Sequence, residues 1–207
     1  MIPDIPRWVE AHGIAGDPTH WREELGSGYA LGHDAAKLIV VIGDAGARAL
    51  AALVARYPQH ALLVETEALA PRPAQRAILH TLAGELPDLE GALPLPPDAP
   101  LPPTLADELT WARTRGTTIW CAYVDNEPVS FAYAPWRSAR YFDVSVDTLP
   151  AARQLGLATI TAAAMIHDER ARGREPVWGA DETNHASLRL AARLGFTPVD
   201  EIWVCAP

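Results

Sequence analysis

An anion-binding loop is indicated at the point where a predicted strand ends and a predicted helix begins. Arg153, Gly156 and Ala158 form an Arg-x-x-Gly-x-Ala pattern there. The first turn of a helix presents unpaired N–H groups and the positive end of the helix dipole, and small residues let an anion approach the backbone. A pyrophosphate cradle is therefore one interpretation. A glycine that allows close packing of the helix on a sheet is the other, and this segment alone does not decide between them.

A second pattern follows about thirty residues later and favours the first interpretation. Asn184 stands at the start of the next predicted helix, and Leu194-Gly195-Phe196 stands at its end. With both patterns, residues 117–204 resemble the GNAT acyltransferase superfamily, whose members carry a Gln/Arg-x-x-Gly-x-Gly/Ala loop, an Asn at the next helix start and a Leu-Gly-Phe at that helix's end. Trp178 and Ser187, together with Asn184, add a resemblance to one branch, in which an extra N-terminal region precedes the acyltransferase domain.

The resemblance implies acetyl-CoA as the acyl donor. The diphosphate would bind backbone N–H groups of residues 153–158, and the pantetheine arm would bond to the backbone of Val146 and Thr148. The thioester would lie where the strand ending at Thr148 and the strand Pro176–Ala180 splay apart. The residues expected to contact coenzyme A are Val146, Asp147, Thr148, Arg153, Gln154, Leu155, Gly156, Leu157, Ala158, Thr159, Asn184 and Ser187.

The reaction implied is direct transfer of an acetyl group to an amine. It needs a deprotonated amine, a polarised carbonyl and a protonated leaving thiolate. Asp143, on the polar face of the predicted strand Tyr141–Thr148, is the first candidate for the general base, with a solvated polar face or a chain of waters as alternatives. Many members carry a Tyr as general acid seven residues after the helix-initial Asn. Here that position is Ala191, which leaves Ser187, Asp181 or water for the acid role.

The elements that must position these residues form a β-β-β-α-β-α-β order in the C-terminal half, after one leading helix. Alternation of apolar and polar residues predicts an antiparallel meander of three strands, and a helix that is apolar all round predicts burial against a sheet. The predicted elements are a helix at Leu105–Thr114, strands at Thr118–Val124, Val129–Ala134 and Tyr141–Thr148, a helix at about Ala152–Arg172, a strand at Pro176–Ala180, a helix at Asn184–Leu194 and a strand at Thr197–Val204.

The N-terminal half predicts a smaller α/β region. A β-α-β-α order favours strands joined by crossover helices. The predicted elements are a strand at Lys37–Ile42, a helix at Ala45–Tyr57, a strand at Ala61–Thr66 and a helix at Ala74–Leu82. Residues 86–103 contain seven prolines, which exclude a helix interior or a central strand. We interpret this segment as a connector between an N-terminal region, 1–103, and an acyltransferase domain, 104–207; a long surface loop within one domain is the alternative.

The composition limits the kinds of ligand and partner that the protein is expected to bind. The net charge of −9 argues against binding to nucleic acid or anionic lipid and fits a cationic acceptor. The seven histidines are scattered, so no metal site is expected. No apolar run approaches the length of a membrane span, no secretory signal is evident at the N-terminus, and Cys121 and Cys205 form no disulfide framework. The expected location is the cytoplasm.

Together these observations predict an α/β protein with a GNAT-like mixed, mostly antiparallel sheet and flanking helices, preceded by the smaller N-terminal α/β region. Its expected function is transfer of an acetyl group from acetyl-CoA to an amine of a small molecule or peptide. Acetylation of a protein N-terminus or lysine is an alternative within enzymes. A non-catalytic coenzyme A-binding or regulatory module is the alternative from another class, and Ala191 favours it. For the N-terminal region, the alternatives are a part of the acceptor site, a lid or a homodimer contact.

Overall fold

The computed structural model describes residues 1–207, in which five α-helices surround two sheets. The helices are α1 Val9–Ala15, α2 Ala47–Arg56, α3 Ala106–Thr114, α4 Leu157–Ala171 and α5 His185–Arg193. The strands are β1 Trp21–Leu25, β2 Gly28–His33, β3 Leu38–Ile42, β4 Ala61–Val64, β5 Gln75–Thr81, β6 Ala92–Pro94, β7 Trp120–Val124, β8 Glu127–Tyr133, β9 Tyr141–Asp143, β10 Ser145–Thr148, β11 Glu175–Asp181 and β12 Thr197–Cys205.

Both regions of the chain contribute to the larger sheet. Its eight strands run in the order β1-β2-β3-β4-β12-β5-β11-β9, and the smaller sheet has the order β10-β8-β7-β6. Only the pairs β3–β4 and β9–β11 are parallel. The predicted fold class, a mixed and mostly antiparallel sheet with flanking helices, is therefore confirmed. The division at residue 103 stays a prediction, and β5 of the N-terminal region lies between β12 and β11.

The helix predicted at Ala74–Leu82 is wrong, because this segment forms β5. The strand is hydrogen-bonded on both edges, to β11 and β12. Leu79 belongs to the core that contains α1, whereas Leu82, just beyond the strand, belongs to the core beneath α4. A strand covered on both faces carries apolar residues without strict alternation, so its pattern was mistaken for that of a helix.

The single strand predicted at Tyr141–Thr148 is divided into two, which lie in different sheets. β9 pairs in parallel with β11, and β10 pairs in antiparallel with β8. The last bond that ties this chain segment to β11 runs from Val144 N–H to the Val177 carbonyl, at 3.0 Å. Beyond Val144, β10 diverges from β11, and the gap between them opens the cavity described below.

The long helix begins at Leu157, five residues after the predicted start at Ala152. Pro150–Ala152 forms a separate 3-10 turn, and Gln154 and Gly156 then adopt left-handed φ values of 66° and 80°. Left-handed residues cannot continue a right-handed helix, so the Arg153–Gly156 segment is a loop. The loop nevertheless lies directly at the N-terminus of α4.

The remaining predicted elements are present with shifted ends, whereas α1, β1, β2 and β6 have no predicted counterpart. The proline-rich segment contributes β6, which pairs only with β7 and is an edge strand, as its prolines require. α4 packs on the smaller sheet through Ala162, Ala163 and Ile166, all fully buried. No helix is long and apolar enough to cross a bilayer.

Candidate functional site

A cavity of about 790 Å³ lies where β10 and β11 diverge. Its wall is formed by β10, the loop after it, the first turn of α4 and one side of α5. The structure brings eleven of the twelve predicted coenzyme A contacts together at this wall. Leu155 is the exception, because its side chain is 61% exposed and lies outside the cavity. Asp143 also lies outside it.

The loop before α4 presents five consecutive backbone N–H groups, those of residues 154–158, that donate to no carbonyl of the chain. The left-handed conformations of Gln154 and Gly156 turn this backbone away from its own acceptors. Successive N–H groups in such a turn, at the positive end of a 15-residue helix, form an anion-binding concavity. The arrangement suits a diphosphate.

Three arginines surround the cavity without a carboxylate partner. Arg153 donates its Nε to the Thr148 carbonyl at 3.2 Å, which holds the side chain beside the loop. Arg189 and Arg193, one helical turn apart on α5, line the opposite wall, and none of the three forms an ion pair in the chain. The two α5 arginines were missed in the sequence, although their spacing places them on one helix face.

Asn184 and Ser187 have structural partners at the cavity wall. The Asn184 side chain caps α5 by accepting the Ser187 N–H at 3.1 Å. The Ser187 hydroxyl accepts the Trp178 indole N–H at 2.9 Å, and its own proton remains free to donate. Ala191 is fully buried in the core, so α5 offers no other hydroxyl in the place of the missing Tyr.

Asp143 faces a second acidic residue that the sequence did not single out, Glu10 of α1. Burial raises the pKa of Asp143 to about 7. Burial and the charge of Asp143 raise the pKa of Glu10 to about 8. Neither carboxyl group forms an ion pair or accepts a side-chain hydrogen bond, so nothing offsets the effect of burial, which favours the protonated form of each. No sequence signal links them, because α1 reaches β9 only in the folded protein.

This pair predicts that the protein loses stability as the pH rises. The unfolded chain releases these two protons near pH 4 to 4.5, whereas the folded chain keeps them until about pH 7 to 8. Between these limits the folded state holds more protons, so the free energy of unfolding falls with pH, by about 2 kcal/mol or more. Urea titrations across this range should show the fall in the wild type and a flatter profile in a Glu10→Gln/Asp143→Asn variant. An equal slope in both proteins would contradict the assignment.

A second cavity, of about 530 Å³, shares Ser145, Val146 and Asp147 with the first. Alternation along β10 explains this arrangement. The Thr148 hydroxyl bonds to that of Ser130 at 2.8 Å, and Ser130 in turn reaches Thr161 of α4 at 3.2 Å. Thr148 therefore faces α4, whereas Ser145 and Asp147 face the other side, where α3 and the end of β8 complete the second cavity.

Comparisons with known proteins agree with this architecture. Residues 114–204 match the family model described as GNAT acetyltransferase. A GNAT-family protein of Novosphingobium aromaticivorans has a TM-score of 0.68 at 19% identity, with 97% of each chain covered. A GCN5-related N-acetyltransferase-like protein of Streptococcus suis has a TM-score of 0.64 at 14% identity, with 96% of this chain and 97% of that one covered.

A GCN5-related N-acetyltransferase of Kribbella flavida gives the same TM-score, 0.64, at 14% identity, and the match covers 97% of this chain and 94% of that chain. At such identities the likeness establishes the fold. The coverage includes the N-terminal region as well as the matched domain. No curated protein matches the chain.

Proposed function

We propose that the protein is a GNAT acetyltransferase that transfers an acetyl group from acetyl-CoA to an amine by direct attack, because residues 114–204 match the GNAT acetyltransferase family model. The observation that carries the proposal is the row of five free N–H groups at residues 154–158, flanked by three unpaired arginines. Backbone donors and guanidinium groups are the partners that a diphosphate requires. The cavity beside them has the volume and the polar lining to hold a nucleotide cofactor with an extended arm.

In the proposed reaction the amine nitrogen forms a bond to the thioester carbonyl carbon, the carbon–sulfur bond breaks, and the amine proton passes to a base. The thiolate of coenzyme A takes up a proton from Ser187 or water. The exposed peptide edge of β10, left unpaired on the side where it diverges from β11, is available to bond the pantetheine arm and to polarise the carbonyl. Removal of water from this gap would strengthen each of these interactions.

Two carboxylates compete for the role of general base. Asp143 has a pKa near 7, which suits proton acceptance at neutral pH, but it lines neither cavity and would act through water. Asp147 lines both cavities, so an amine held between them would meet its carboxylate directly. Burial raises the pKa of Asp147 as well. We therefore favour Asp147 as the base and Asp143 as the alternative.

The test is a calorimetric titration with acetyl-CoA, followed by a free-thiol assay over a panel of amines. We expect binding, and thiol release that depends on the amine. Absence of binding at millimolar cofactor would overturn the proposal, whereas binding without release from any amine would favour a non-catalytic coenzyme A-binding module. Release that occurs only with peptides or proteins would assign a protein N-terminus or lysine as the acceptor.

Matched variants separate the two candidate bases. Asp147→Asn should lower kcat by about 100-fold or more, the usual contribution of a general base, and leave the Kd for acetyl-CoA within about twofold. Asp143→Asn should lower kcat by less than about tenfold, since a base that acts through water is more easily replaced. The reverse order would assign the role to Asp143. Small effects in both variants would assign proton removal to a chain of waters.

A further inference from the structure

The second cavity lies on the opposite side of β10 from the proposed acetyl-CoA groove. Its wall combines the turn between β2 and β3, the first half of α3 and the end of β8. Ser145, Val146 and Asp147 line both cavities. A molecule in the second cavity would therefore approach the thioester position from the side away from the cofactor.

Three carboxylates line this cavity, and none of them is in an ion pair. Asp147 contributes from β10, and Asp107 and Glu108 contribute from the first turn of α3. None of the three forms an ion pair or a side-chain hydrogen bond. Lys37, at the rim, is the one basic residue of the lining, and it forms no ion pair either. The lining keeps a net charge of about −2 when its carboxylates are ionised.

The absence of counter-ions has a measurable electrostatic consequence. Burial and the charge of Asp147 raise the pKa of Glu108, so these two groups interact across the cavity. Burial also raises the pKa of Asp147, and the charge of Arg153 opposes the shift. By contrast, Asp17 is paired with Arg115 and His33. A cationic ligand would remove this repulsion.

Another part of the cavity wall is aromatic, and contacts with neighbouring side chains fix its orientation. Trp111 and Trp136 contact each other edge to face, with ring centroids 5.0 Å apart. The Arg115 guanidinium lies 5.0 Å from the centre of the Trp136 ring and is fixed by its ion pair with Asp17. Tyr133 is 4% exposed and lines the cavity, and its hydroxyl forms a hydrogen bond with the Ser145 side chain. This part of the wall is thus a preformed and largely apolar surface.

We infer that this cavity is the acceptor subsite and that it selects a small dication, with one reacting amine at Asp147 and a second, non-reacting cationic group at Asp107 and Glu108. The identification of this cavity as an acceptor subsite rests on the proposed function. The recognition of a dication does not depend on catalysis. The carboxylates lie on two separate elements, one beside the groove and one on α3, which provides a binding position at each end of the ligand. The aromatic side chains of the same cavity suit an apolar linker.

The experiment compares three probes that have the same chain length: 1,5-diaminopentane, pentylamine and 5-aminopentanoate. Calorimetric titration of the full chain without acetyl-CoA should show the diamine binding about tenfold more tightly than pentylamine, and the zwitterion more weakly than either. In an Asp107→Asn/Glu108→Gln variant the diamine should bind within about twofold of pentylamine, because the second charge loses its partners. Glu127→Gln, at an exposed position on β8 outside both cavities, is the matched control and should keep the wild-type preference.

Equal binding of diamine and monoamine by the wild type would overturn the inference, as would a preference that survives in the double variant with an unchanged circular dichroism spectrum. The proposed function is tested separately, by thiol release from acetyl-CoA in the same samples. Diamine selectivity without thiol release would leave the subsite standing and reject the acetyltransferase proposal. Thiol release at equal kcat/KM for diamine and monoamine would support the acetyltransferase proposal and reject the dication subsite.

Discussion

Replacement of Gly156 by valine is expected to weaken acetyl-CoA binding by about 100-fold or more, the equivalent of about 2.7 kcal/mol. Gly156 lines the proposed cofactor groove with a φ of +80°, and a Cβ built there meets no atom within 4 Å. The added side chain would therefore clash with nothing in the protein and would project into the space that a diphosphate needs. The left-handed conformation adds a strain of about 1–2 kcal/mol.

Gly173 provides the control for this strain. It has a φ of +81°, and a Cβ there also meets no atom within 4 Å, but it follows the C-terminal end of α4, far from the cavity. Gly173→Val should lower the free energy of unfolding about as much as Gly156→Val and leave the Kd for acetyl-CoA unchanged. Calorimetry and urea unfolding on both variants measure the two effects separately. Equal loss of binding in both proteins would show that strain, rather than the occupied groove, is responsible.

Glu169→Gln is expected to lower the free energy of unfolding by about 3–5 kcal/mol, the range for breaking a buried ion pair. The Glu169 side chain is 2% exposed and receives three guanidinium groups, from Arg137 at 2.6 Å, Arg174 at 3.2 Å and Arg172 at 3.3 Å. These arginines hold its pKa below the usual range despite the burial. Without the carboxylate, three positive charges would face one another around a neutral amide.

The matched comparison is Glu175→Gln. Glu175 pairs with Arg170 at 2.8 Å, but its side chain is 48% exposed, so the substitution should change the free energy of unfolding by less than about 1 kcal/mol. Urea denaturation at neutral pH measures both variants. If Glu169→Gln lowered the free energy of unfolding no more than Glu175→Gln does, the expectation would be wrong, and solvent would fully screen the charges of the three arginines.

The sequence predicts the cofactor side of the site better than the acceptor side, for a physical reason. The loop at 153–158 and the cap of α5 are local: their residue types determine a turn, a helix start and a cluster of N–H groups within one chain segment. Glu10, Asp107 and Glu108 reach β9 or β10 only through contacts between distant elements. No spacing within the sequence relates such residues.

The same distinction applies to the fold. Most C-terminal elements can be predicted from the sequence because alternation and helix-terminating glycines are local signals. Gly195, whose φ is +89°, ends α5 in this way. The break at Val144 is invisible in the sequence, because the alternation continues through it and only the choice of partner strand changes. β1 was missed because its outward residues are charged and only Leu25 is buried. β5 was misassigned because neighbouring strands, rather than its own pattern, determine its conformation.

The position of β12 has a consequence for how the protein is made. This strand lies between β4 and β5, so it joins two parts of the larger sheet that otherwise have no common hydrogen-bonded edge. During synthesis, the β1–β4 unit and β5 leave the ribosome more than 100 residues before β12 does. Until then, the inner edges of β4 and β5 have no partner and are open to pairing with other chains. Completion of the larger sheet therefore depends on the pairing of residues that are distant in the chain.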